Sequence, residues 1–296
     1  MENITYSRRR LRRVFRAKRV SRSLGGNIVL GVLLAALGCM TALPLVYTVV
    51  NAFKPLEEFF IFPPRFFVIN PTFDSFLDLA DVATNMWVPF SRYLFNSVFV
   101  SVVTTLVYLF IASTCAYVLA KHEFLGKKLI TTIIVTSMMF TSTVMAIPQY
   151  ILMAKVGFID TYMAIIFPAL GSTMGVFLMK QFMESFPYTI IESARIEGAG
   201  EFRVCWGIVM PGVKPAWITL LIFTFQSIWN ATGGQMIFTE NLKVLPTMLA
   251  QIAAGGVARA GVSAAASLLL LIPPIAVFVV AQSNILETMA SSGIKE

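Results

Sequence analysis

Long apolar runs separated by short charged links set the pattern of this chain. Six runs reach the length that crosses a hydrocarbon core, about 20 mostly apolar residues. They are Asn27–Phe53, Leu94–Ala120, Leu129–Ala154, Tyr162–Phe182, Trp206–Trp229 and Val262–Asn284. Their interiors carry almost no ionisable side chains. Lipid offers no partner to backbone N–H and C=O groups, so runs of this kind predict helices. The expected fold is an all-α membrane protein with six transmembrane helices. Pro148 and Pro168 interrupt the third and fourth runs, and Pro211 and Pro215 sit where the chain enters the fifth. They mark expected bends, which neighbouring helices must compensate. Gly255–Gly261 and Asn230–Gly234 read as flexible stretches on the outer side. No internal repeat is visible.

The links give an orientation. Nine of the 23 basic residues precede Asn27, and a basic block ahead of an apolar run belongs on the cytoplasmic side. Lys54–Arg92 holds three basic and five acidic residues and fits outside. The basic stretch around Lys121–Lys128 falls inside, the link Lys155–Asp160 outside, the patch before the fifth run inside and Glu240–Gly261 outside. Both termini are then cytoplasmic.

Composition agrees with this pattern. Hydrophobic residues make up 57% of the 296 residues and charged residues 13%, against about 25% charged in a soluble domain. The net charge of +8 is concentrated in the N-terminal arm, which argues for topology and against nucleic-acid binding. Cys39, Cys115 and Cys205 form no C-x-x-C, and His122 is the one histidine, read as a solvated loop residue. Neither a disulfide framework nor a metal site follows from these spacings. No Ser/His/Asp or Cys/His set suggests an enzyme. No G-x-x-x-x-G-K-[ST] cradle is present, so the chain has no phosphate loop of its own. No chain of intramembrane charges is present to relay protons or sodium.

One stretch departs from this pattern. Ile190–Ala216 reads IIESARIEGAGEFRVCWGIVMPGVKPA and is densely charged. Ser185-Phe186-Pro187 predicts a helix start. Thr189 and Glu192 have capping-box spacing. Glu192 and Arg195 are one turn apart and can pair. Ile191, Ala194 and Ile196 are its apolar positions. Gly198-Ala199-Gly200 ends the helix through a left-handed turn. A second helix starts near Glu201 and feeds the fifth run past Pro211. The result is a short helix–turn–helix lying along the cytoplasmic face.

The order of these residues resembles the EAA loop of permease subunits from ATP-binding cassette importers. Glu192-Ser193-Ala194, Gly198 and Ile208-Val209-Met210-Pro211 occupy the pattern. Ser193 replaces its first alanine, and Glu197 stands where aspartate is common. Asn96-Ser97, Ala116-Tyr117, the stretch Ile147–Leu170, the pair Trp229-Asn230 and the tail from Gln282 are similar to the carbohydrate branch of that family.

The resemblance implies a type I importer permease: a basic arm at 1–26, a six-span domain at 27–286 with a coupling loop at 185–215, and a cytoplasmic tail at 287–296. It implies that Glu192, Ser193, Ala194, Arg195, Glu197, Gly198 and Pro211 form a coupling helix that docks in a groove of a cytoplasmic ATPase. Apolar side chains would fill the groove and Glu192 would pair at its rim. The implied partners are a second, related six-span permease chain, an ATPase dimer that holds ATP and Mg, an extracellular sugar-binding lipoprotein and the bilayer of a bacterial cell membrane. No cofactor is expected on this chain. A sugar is recognised by hydrogen-bonding groups and aromatic faces, and Gln149, Tyr150, Gln226, Trp229 and Asn230 are candidates to line its route, with packing or interhelical bonds as the alternative. A permease for a non-sugar solute and an ion-coupled carrier are the competing readings.

Overall fold

The structure is a computed structural model that describes residues 24–84, 87–256 and 259–292. Most of the basic arm and the last four residues lie outside them. Among the described residues every regular element is helical. Among these residues four helices are long and apolar enough to cross a membrane, and up to six spans result if each of two sharply bent helix pairs counts as one.

Two compact units divide the chain at Val50. Helix α1, Leu24–Ala52, carries Pro44 in its interior. From Ile28 its mean hydropathy is 2.4. Thr41 donates to Leu37 O at 3.1 Å and Thr48 to Pro44 O at 2.9 Å, so the hydroxyls of this apolar helix are satisfied by its own backbone.

In the second unit, α2 (Leu56–Phe59) and α3 (Asp74–Thr84) precede the long α4, Phe90–Lys121. No glycine or proline interrupts these 32 residues, which extend about 48 Å at 1.5 Å per residue. Ser97, Ser101, Thr104, Thr105, Ala112, Ser113 and Ala116 are its buried small residues. They let neighbouring backbones approach closely, which is how helices associate where burial alone supplies no drive. Around α4 pack α7 (Met163–Leu170), α8 (Thr173–Glu184), α12 (Lys214–Trp229) and α13 (Leu245–Ala253). Helix α14, Ala260–Ser292, packs on α3, α12 and α13.

Gly175 of α8 marks a close approach of three helices. A Cβ there would collide with the Tyr108 hydroxyl and meet Leu220 Cδ1 at 2.5 Å. The Tyr108 hydroxyl donates to Ser172 O at 2.7 Å and accepts from Gly175 N–H at 3.0 Å.

Two expected spans are not straight. The third run divides into α5, Lys127–Ser137, and α6, Ser142–Val156, at 111° to one another. The break does not fall at Pro148, which sits inside α6. It falls at Met138–Thr141, where Met138, Met139 and Phe140 N–H groups close successive three-residue turns onto Val135, Thr136 and Ser137 carbonyls. Ser137 Oγ lies 3.2 Å from Thr173 Oγ1, at the start of α8. Pro168 does precede a break: α7 ends at Leu170, and Gly171 N–H bonds to Pro168 O at 3.2 Å.

The fifth run also starts later than expected. Residues 201–212 lie at 87° to α12, which begins at Lys214. They form α10 (Glu201–Arg203), a π-helical stretch at Val204–Val209 and α11 (Met210–Gly212). Pro211 has no N–H for Gly207 O and its ring crowds that carbonyl, and a widened π turn relieves both.

At the opposite end of α4 a polar clasp holds the segment 231–244. The buried Asn96 amide donates to Asn241 O at 2.9 Å and Lys243 O at 2.8 Å, and its oxygen accepts from the Tyr162 hydroxyl at 2.7 Å. Tyr93 donates to Glu240 at 2.8 Å, and Ser97 Oγ accepts from Leu245 N–H at 2.7 Å. Asp160, at φ +58, accepts the N–H groups of Phe238 at 2.9 Å and Thr239 at 2.8 Å and the Thr239 hydroxyl. Aspartate tolerates this left-handed backbone better than most residues.

The Thr239 hydroxyl, then the Thr239 and Phe238 N–H groups, hold the Asp160 carboxyl below the usual aspartate range. Its folded pKa is depressed, so the clasp is complete above about pH 5 and weakens as pH falls through the lowered value. Asp160→Ala is expected to speed amide exchange at Phe238 and Thr239 by about tenfold while the helices keep their protection. Hydrogen-exchange mass spectrometry checks this; unchanged rates in 231–244 refute the clasp.

Candidate functional site

The charged stretch folds into a compact knob at the Lys121 end of α4. Helix α9 runs from Tyr188 to Ile196. Pro187 is its N-cap, and no side chain caps it. The expected capping box is therefore not formed: Thr189 lies inside the first turn, and its carbonyl accepts Ser193 Oγ at 3.0 Å. The C-terminus follows the expected chemistry. Gly198 has φ +83. Its N–H bonds to Arg195 O at 3.0 Å, and Ala199 N–H to Ala194 O at 3.0 Å, the bond pair of a Schellman turn.

One face of α9 is buried. Ile191 is fully buried and Ala194 nearly so, packed with Tyr117, Met183, Val204 and Val209. Burying one such isoleucine stabilises the knob by about 2 kcal/mol. These two apolar positions, expected to reach outward into a partner, instead seat the helix on its own protein. Ile190, Ile196 and Phe202 are the exposed apolar residues, with Ile196 at 87% exposure. Glu192, Ser193, Glu197, Gly198 and Pro211 are also exposed.

Arg195 does not take Glu192 as its partner. Its Nε donates to Glu201 Oε1 at 2.8 Å and Nη1 to the Tyr188 hydroxyl at 3.0 Å, with the guanidinium over the Tyr188 ring. Glu201 also accepts the Tyr117 hydroxyl at 2.7 Å and lies 3.2 Å from His122 Nε2. The Arg195 hydrogen bond holds the Glu201 carboxyl below the usual glutamate range. His122, expected as a solvated loop residue, caps α4 and packs edge-on against Tyr117. Lys121 donates to Phe186 O at 2.7 Å and Glu184 O at 3.2 Å.

Spacing within the stretch favours Glu192, one turn from Arg195. Pairing with Glu201 requires the glycine turn to fold the chain back, so the sequence carries no local signal for it. The same holds for Tyr117 and His122, which lie more than 75 positions before Glu201.

The five candidates for a solute route fall on two helices. Gln149, part-buried, and Tyr150, exposed, are on α6. Gln226, Trp229 and Asn230 are at the end of α12. Trp229 is buried, stacks on Phe225 at 5.7 Å and donates to Leu270 O at 3.0 Å. Asn230 is exposed and donates to Gln226 O at 2.8 Å.

Apolar helices of spanning length joined to a compact, charged knob define a membrane-embedded protein. The chain belongs to the binding-protein-dependent transport system inner membrane component family, which it matches over residues 109–290. It is 31% identical over 221 residues to Protein LplC of Bacillus subtilis, covering 73% of this chain and 71% of that protein. It is 24% identical over 269 residues to the arabinooligosaccharides transport system permease protein AraQ of Halalkalibacterium halodurans, covering 88% and 94%. Its fold is that of a chain in a solved bacterial ABC transporter involved in import of the acidic polysaccharide alginate, with a TM-score of 0.71, 23% identity and coverage of 88% and 98%.

Proposed function

We propose that this chain is one of two six-span permease subunits of an ATP-driven importer, taking up a carbohydrate oligomer delivered by an extracellular binding protein. Family membership supports the importer reading, and the relatives named for arabinooligosaccharide and polygalacturonan/rhamnogalacturonan transport support the carbohydrate. The single observation that carries the mechanism is the knob: a helix seated by Ile191 and Ala194, closed by a left-handed Gly198, with Ile190, Ile196 and Phe202 outward. Those three side chains fill the groove of a cytoplasmic ATPase subunit, and Glu192 and Glu197 pair at the rim. ATP and Mg sit on that partner. ATP binding closes the ATPase pair and draws two such knobs together, and the spans follow as a two-state element. Gln149, Tyr150, Gln226 and Asn230 face the solute route, while Trp229 braces α12 against α14. The knob is cytoplasmic, as are both termini.

The test is co-purification and transport. Ile196→Asp places a charge where an apolar contact is buried on docking and is expected to reduce recovery of the ATPase by at least about tenfold. Membrane yield should not change. Reconstituted vesicles should accumulate oligosaccharide with ATP and not with an ion gradient alone. Uptake driven by the gradient without ATP overturns this reading.

A further inference from the structure

We infer that Glu201 is the positioning residue that ties the knob to α4 and so carries its motion into the transmembrane helices. This rests on the reading above.

Three side chains from two helices meet at its carboxylate. One oxygen accepts Arg195 of α9 at 2.8 Å, and the other accepts Tyr117 of α4 at 2.7 Å and faces His122, the cap of α4, at 3.2 Å. Arg195 in turn grips Tyr188, at the start of α9, at 3.0 Å. A single carboxylate therefore links the first turn of α9, the last turn of α9 and the end of α4. Ionised bonds of this kind are shorter and stronger than neutral ones and hold direction as well as distance.

Lys121 also joins the end of α4 to the Glu184 and Phe186 carbonyls before α9, so the carboxylate is the tie that fixes the angle of α9 rather than its attachment. A cavity of about 500 Å³ opens beside the carboxylate, lined by Tyr117, His122, Phe124, Phe202, Cys205 and Trp206. Ile191 and Ala194 pack α9 into an apolar cluster that includes Tyr117 itself. Without the carboxylate α9 keeps its seat but can rotate about that apolar contact. The helix whose coupling to α9 would loosen is the one on which α7, α8, α12 and α13 pack.

The assay is the ratio of solute transported to ATP hydrolysed by the whole complex in vesicles. Glu201→Gln keeps size and one acceptor but loses the charge. It is expected to lower that ratio about fivefold while ATP turnover stays within about twofold. Glu201→Asp should recover part of the ratio. Tyr117→Phe, which removes only the hydroxyl, should lower it about twofold and carries the test if Glu201→Gln fails to assemble. A merely structural role would lower transport and hydrolysis together. A wild-type ratio in the charge-neutral variant, or in Tyr117→Phe where that variant does not assemble, overturns this inference. Failure of the unmodified chain to bind any ATPase overturns the proposed function instead.

Discussion

Gly198→Val is expected to abolish most transport, cutting uptake at least about tenfold, in a chain that still inserts and accumulates normally. No atom lies within 4 Å of the place a Cβ would occupy, so crowding is not the cause. The backbone is. At φ +83 an ordinary side chain is strained, by about 1–2 kcal/mol for most residues and more for a β-branched one. Relief comes from opening the Schellman turn, which gives up the bonds from Gly198 and Ala199 and displaces the neighbouring Ile196. A strain of that size reduces the docking-competent population about tenfold. The substitution series separates this account from others. Asparagine, which accepts the left-handed region, should transport best, alanine less well and valine worst. An order that follows side-chain volume instead, with asparagine below alanine, overturns it. ATP-dependent uptake in vesicles, normalised to permease content, is the measurement.

Gly175→Val should act through the fold rather than the knob. The added carbons would strike the Tyr108 hydroxyl and Leu220, where α4, α8 and α12 come together. Tyr108 cannot simply turn aside, because its hydroxyl is committed to Ser172 and Gly175. Overpacking of this kind costs about 1–3 kcal/mol or more. The assembled complex should therefore lose thermal stability in detergent, followed by size-exclusion after heating, and yield should fall severalfold. Gly175→Ala is the milder form and offers a sharper check. Tyr108→Phe removes the clashing oxygen, so the double variant should be more stable than the sum of the two single effects implies. Strict additivity would show that the two residues do not meet.

The polar clasp at the far end of α4 shows the limits of spacing rules. Asn96 and Ser97 stand at the start of an apolar run and suggest no particular role in the sequence. In the fold they satisfy the carbonyls of Asn241 and Lys243 and the N–H of Leu245, about 145 positions later. Their burial is tolerable because these partners exist. Trp229 has two readings in the sequence, route lining and packing, and in the fold its indole is packed and bonded to α14.

Helical class, the approximate position of each apolar run and the glycine turn of the knob could all be read from the chain, because each depends on neighbours within a few residues. Length and apolarity dictate a helix in lipid, and a left-handed turn needs a residue without a Cβ. Where the runs break, which face of α9 points inward and which acid Arg195 holds depend on atoms brought together from distant positions. The break at Met138–Thr141, the burial of Ile191 and the convergence on Glu201 are packing outcomes. No local period encodes them, since the partner that stabilises each lies on another helix.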